Sequence, residues 1–169
     1  MNIAQTLLPE YDHEVAGCRK ELERIPDGRF DYKPHARSST LGQLANHMAA
    51  IPGWLKSAMR DTELEFNDPK VKASMPAPAG TREALLSLFD RCASQGREIL
   101  AATPDGEFAV TWTGKHDGKV VLAMPRIAVY RGLIMNHMIH HRAQLGVYLR
   151  MLDVPVPAIY GPSADEPGM

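Results

Sequence analysis

The sequence predicts an all-α fold, a four-helix bundle, and three observations carry that reading. Four long stretches repeat their apolar residues at three- and four-residue steps, most of them with polar residues opposite, as helices that bury one face do. Proline and glycine gather between these stretches, in connections long enough to span the bundle and permit non-sequential packing. At 169 residues the chain suits a single domain, residues 1–169, with a substantial core.

The first helix runs from about Ile3 to Arg24. Leu7, Leu8, Tyr11, Val15, Cys18, Leu22 and Ile25 form its stripe, Asp12, His13, Glu14, Arg19, Lys20 and Glu23 its polar side, and Pro26-Asp27-Gly28 its end. An irregular connection with Pro34 and a surface His35 follows. Ser38, Ser39 or Thr40 can cap the second helix, whose stripe is Leu41, Leu44, Met48, Ile51 and Leu55. His47 sits at the edge of that stripe. Pro52-Gly53 should kink or break the helix just past it, turning Trp54 toward whatever lies beside the histidine or into the core as a bulky filler.

Glu65 to Gly80 carries Pro69, Pro76 and Pro78 and reads as a polar connection, neither helix nor central strand. Gly80-Thr81 opens the third helix, with Ala84, Leu85, Leu88, Phe89, Cys92, Ile99 and Leu100 as its stripe and an end near Thr103-Pro104. Phe108, Val110 and Trp112 then alternate, a turn-like Gly114-Lys115-His116-Asp117-Gly118 follows, and Val120 to Leu122 return. This is a short hairpin or extended excursion with a solvated His116 at its tip. Pro125 opens the fourth helix, which runs to about Leu152 with Ile127, Tyr130, Ile134, Met138, Leu145, Tyr148 and Leu152 on its stripe.

That last helix holds the least ordinary residues of the chain, three histidines within five positions. At about 100° per residue, His137 and His141 lie one above the other while His140 points to the flank. A buried imidazole needs its nitrogens hydrogen-bonded or ligated, and two stacked rings can offer one lone pair each to a common divalent ion. A lone histidine at a core edge is usually a packing residue, so a third ligand from another segment is required. Bundle cores build metal sites from facing helices, and His47 is the natural third ligand.

Composition excludes other readings. Nineteen basic against twenty acidic side chains, with no Lys/Arg block, give no footprint for a nucleic-acid backbone. Cys18 and Cys92 lie far apart on apolar stripes and read as core residues, neither a disulfide framework nor a zinc ribbon. No signal peptide and no apolar run of membrane-spanning length is visible, so a soluble cytoplasmic protein without a membrane partner is expected.

His137-x-x-x-His141-Arg142-Ala143-Gln144, preceded by Leu41-Gly42-Gln43-Leu44-Ala45-Asn46-His47 and Ile51-Pro52-Gly53-Trp54, resembles the DinB-like superfamily of metal-binding four-helix bundles. The segment from Val154 to Glu166 is similar to the C-terminal end of one branch of it. The resemblance implies a divalent ion, usually nickel or zinc, on His47, His137 and His141 with water completing the shell, and it implies homodimers. Gln144, on nearly the face of His137, would orient a ligand or bound water. Arg142 points further round, as a helix-packing or surface salt-bridge residue. Three imidazoles leave coordination positions open, as catalytic metals require. Members of the superfamily act with low-molecular-weight thiols such as bacillithiol and mycothiol, so the resemblance implies transfer of such a thiol to an electrophile. A metal-dependent hydrolase and a non-enzymatic metal-binding stress protein are the rivals. The sequence places no general base beside the triad, and it singles out no catalytic residue.

Overall fold

The computed structural model describes residues 2–167. Its helices are α1 (Ile3–Glu23), α2 (Leu41–Ala50), α3 (Leu55–Arg60), α4 (Pro69–Ser74), α5 (Arg82–Ala101), α6 (Arg126–Val129) and α7 (His137–Met151). Its strands are β1 (Glu63–Glu65), β2 (Thr111–His116) and β3 (Lys119–Pro125). Four long helical units pack around one core, with α1 and α2 each lying against both α5 and α7. Consecutive α1 and α2 thus pack on the same two partners, the non-sequential arrangement that the long connections allow.

The helix starts follow from local chemistry. Asn2 and Thr40 form capping boxes with Gln5 and Gln43, and Thr81 accepts from the amide of Ala84, so first-turn amides that lack carbonyl partners are satisfied. Past α2, Pro52 forces a tight 3-10 turn over Ile51–Trp54 before α3 resumes. Close packing sets where that turn sits. A Cβ on Gly96 of α5 would stand 2.6 Å from both the Pro52 carbonyl and the Tyr11 hydroxyl, and that hydroxyl donates to the carbonyl of Ala93 at 2.8 Å. Only a bare backbone at residue 96 lets α1, α5 and the turn approach so closely.

The fold is not all-α. Three strands form a mixed sheet in the order β1-β2-β3, with β1 parallel to β2 and β2 antiparallel to β3. The hairpin expected between the third and fourth long helices is β2–β3, turned by Asp117 and Gly118 at positive φ. The parallel strand β1 is the unexpected part. Glu63-Leu64-Glu65 is too short to show a period, and its partner lies some fifty residues away, so no local pattern announces it. Phe66 then lies over Gly114, where a Cβ would come within 2.8 Å of its ring. Within the connection read as unstructured, Asp68 caps α4 by accepting from the Lys70 amide, and Pro69 takes the first helical turn.

The fourth long helix also departs from its expected course. Pro125 both ends β3 and stands as the N-cap that opens α6, but between α6 and α7 the segment Tyr130–Asn136 winds as a π-helix. Val129 and Ile134, and likewise Tyr130 and Met135, are buried at five-residue steps, which only the wider turn places on one face. Arg142, one of the two placements left open for it, is buried rather than at the surface: it is 4% exposed, with its Nη1 2.7 Å from Oε2 of Glu14, itself 5% exposed although read as polar-side. Cys18 and Cys92 are buried free thiols, and His13, His35 and His116 are exposed, all as expected. Among the described residues no helix is long and apolar enough to cross a membrane.

Candidate metal centre

His47 comes from the last turn of α2, and His137 and His141 from the first two turns of α7, the helices that pack face to face at this end of the bundle. The Nε2 atom of His137 stands 3.2 Å from Nε2 of His47 and 2.8 Å from Nε2 of His141. One nitrogen from each of the three rings lies within 4.8 Å of the others, and among the described residues this is the one such group of His, Cys, Asp and Glu side chains. His47 is exposed and the other two are half-buried, so the cluster opens to solvent on one side.

The opposite edges of two rings decide which nitrogens carry protons. Nδ1 of His137 donates to the carbonyl of Leu133 at 3.3 Å, and Nδ1 of His141 donates to Oε1 of Gln144 at 2.8 Å. With hydrogen on Nδ1, each neutral ring presents a bare lone pair on Nε2. Although His47 is exposed as a residue, its ring lies among Trp54, His137 and His141, and that local desolvation first, then the neighbouring imidazoles, push its pKa down to about 4; burial and His141 likewise lower that of His137. These rings are therefore neutral near pH 7. Lone pairs facing one another at such distances repel, and a cation between them turns the repulsion into coordination. Nitrogens bound tetrahedrally at about 2.0–2.1 Å stand about 3.3 Å apart, close to the separations seen. The three histidines could hold a divalent metal ion.

The surroundings explain why the rings hold this pose. The backbone N–H of His137 bonds to Ile134 at the end of the π-turn rather than to Leu133, four residues back, so the Leu133 carbonyl is left to meet the His137 ring. Trp54, swung inward by the Pro52 turn, lies with its ring centre 5.4 Å from those of both His47 and His137. Asn46, beside His47, donates to the carbonyls of Gly42 and Ala79 and accepts from the Ala79 amide, tying the loop before α5 to α2.

Of the residues singled out from sequence, the structure brings together His47, His137, His141, Gln144 and Trp54. Gln144 meets the ring of His141, although the helical phase had put it on the face of His137. His140 stays outside the cluster, its ring edge-on to His141. Sequence reasoning missed Leu133, Asn46 and the buried acids Glu14 and Glu21. A signal for the acids was present, since Tyr11, Glu14, Cys18, Glu21 and Ile25 recur at three- and four-residue steps.

Comparison with known proteins completes the picture. YrdA of Bacillus subtilis strain 168, described as an uncharacterized protein, is 24% identical over 163 residues, spanning 94% of this chain and 89% of that protein. A DinB-like protein from Bacillus cereus ATCC 10987 superimposes with a TM-score of 0.70 at 23% identity, covering 92% of this chain and 97% of its own. The DinB-like protein YjoA of B. subtilis does so with a TM-score of 0.70 at 16% identity, covering 91% and 96%. These likenesses place the fold, and the model of the DinB family matches residues 2–168; the chain therefore belongs to the DinB family.

Proposed function

We propose that the protein is a divalent-metal-dependent enzyme that transfers a low-molecular-weight thiol to an electrophile. The observation that carries this reading is the convergence of three imidazole Nε2 atoms on a solvent-facing point, with no fourth His, Cys, Asp or Glu in the group among the described residues. Structural sites close their shell with four protein ligands, whereas three ligands and an open side suit a reacting molecule. His47, His137 and His141 would hold the ion, and nickel or zinc suits imidazole donors. When bound, such an ion lowers the pKa of a thiol or water brought to its open position and so supplies a nucleophile near neutral pH.

The chain's own thiols support an external sulfur. Cys18 and Cys92 are buried, and burial pushes the Cys18 thiol up to about 12, so neither is a nucleophile. In the reaction the small thiol gives up its proton, its sulfur forms a bond to the electrophilic carbon, and the leaving group departs with the electron pair of the broken bond. Leu133 and Gln144 hold the Nδ1 protons of two rings, keeping their Nε2 lone pairs turned to one point. Trp54 supplies an apolar wall beside it. A homodimer belongs to the same reading by family likeness, and light scattering checks it.

The test is consumption of an activated aryl halide by nickel- or zinc-loaded protein. Turnover that needs metal and added thiol together, and that His47→Ala abolishes, supports thiol transfer. Cleavage of 4-nitrophenyl esters without thiol replaces it with hydrolysis. Inactivity of verified, metal-loaded protein in both assays across broad thiol panels overturns the enzymatic reading.

A further inference from the structure

On the face of α7 turned away from the histidines, a cleft of ≈ 500 Å³ lies between α1, α7 and the extended segment after Leu152. Ile139 and Val147 of α7 and Val156, Pro157 and Ile159 of that segment give it apolar walls. Its size is that of a small-molecule site. Glu21 lines it from α1, and this carboxylate is the unusual feature. The residue is 4% exposed, and its buried Oε2 has no hydrogen-bond partner.

The charged neighbours of Glu21 are already matched with one another. Arg142 pairs with Glu14 and donates to the Tyr160 hydroxyl at 2.6 Å; Arg24 pairs with Glu166, and Arg150 with Asp165. Glu21 is left as the uncompensated charge. A buried carboxylate without a partner is costly, and native proteins retain such groups where something binds them. Gly146 supplies the second observation: a Cβ there would stand 3.3 Å from Oε1 of Glu21, and its absence leaves the α7 wall open beside the carboxylate.

We propose that this cleft binds a small organic ammonium ligand, a primary amine carried on an apolar body, with Glu21 as its counter-ion and the walls of α7 and the C-terminal segment around the body. Arg142 and Arg150 also line the cleft but are held by Glu14 and Asp165, so Glu21 is the lining charge left without a partner among the aliphatic side chains, and it selects that combination. A metal ion would need further oxygen ligands, an anion would be repelled, and a neutral apolar molecule would leave the carboxylate unpaired.

The test uses n-hexylamine, 1-hexanol and hexanoate as probes of the full chain at pH 8, followed by NMR shifts and thermal melts. Hexylamine is expected to bind and raise the melting temperature, and the other two are not. Glu21→Gln should weaken hexylamine at least tenfold; it removes a buried charge and keeps the shape, so the variant should fold. Ala143→Phe fills the cleft mouth with the charge intact and should weaken it equally. Because amines also coordinate metals, His137→Ala treated with chelator is the control, and it should bind hexylamine as well as the parent chain does. Equal binding of hexanol, retention in Glu21→Gln, or loss in His137→Ala would overturn the proposal.

Discussion

Replacing Glu21 with glutamine should make the protein more stable, and by an amount that depends on pH in a calculable way. Burial raises the Glu21 carboxyl from its ordinary 4.5 to about 7, against the opposing pull of Arg142 and then Arg24. A raised acid favours the protonated form in the folded state. Between pH 4.5 and 7 the folded chain therefore keeps a proton that the unfolded chain releases, and stability falls as pH rises through that window. Below it Glu21 costs nothing by this route; above it the penalty is full and flat. At about 1.4 kcal/mol per pKa unit, the difference amounts to about 3 kcal/mol. Glu21→Gln should match the parent chain near pH 4.5 and exceed it by about 3 kcal/mol at pH 8, a rise in melting temperature of roughly 6–12 °C for a chain of this size. Urea and thermal melts of both proteins in chelator, at pH 4.5, 6 and 8, make the measurement, and the histidine cluster cancels in the difference. An offset independent of pH, or a variant less stable at pH 8, would refute the reasoning.

Other expectations follow from the same contacts. His137→Ala should lose nearly all bound metal and His140→Ala almost none, and equal retention by elemental analysis would reject the ligand set. Metal at about a hundred times its dissociation constant should add about 2.7 kcal/mol, so verified chelation should lower the melting temperature by roughly 5–10 °C. Gln144→Leu removes the acceptor of the His141 Nδ1 proton and should weaken metal binding about 10- to 100-fold by competition titration, while the melt of the chelated protein stays unchanged. Arg142→Met strands Glu14 in the interior and should cost about 3–5 kcal/mol, most of it recovered in the double variant with Glu14→Gln. Denaturant melts of that pair and both singles measure the coupling.

The boundaries of α1, α2 and α5, and the break after His47, were legible in the sequence because caps, prolines and apolar periods are local signals read within a few residues. The meeting of His47 with His137 and His141 was legible for a related reason: each lies on a helix face whose phase the flanking apolar residues set. β1 was not legible, since three residues pair with a strand far along the chain and only that pairing makes them a strand. Glu14 and Arg142 illustrate another limit. Residue type argued for solvent at Glu14, while its spacing from Tyr11 and Cys18 argued for the core, and the ion pair between helices settles the conflict in favour of spacing. In the last helix, a uniform 3.6-residue template left Met135 off the buried stripe because it cannot represent a local five-residue step.

The π-turn over Tyr130–Asn136 carries one residue more than an α-helix needs for the same rise, and so absorbs that residue while keeping two parts of the molecule in phase. The hairpin and α6 before it, and the imidazoles after it, keep the azimuths that a plain α-helix one residue shorter would give them. Deleting exposed Gly132 would let the winding relax to α with little net rotation of one half against the other. What would change is the bonding inside the turn: the backbone N–H of His137 would reach four residues back, to the carbonyl that now meets the His137 ring. A single surface glycine, touching nothing in the centre, thereby governs how one of the centre's rings is held.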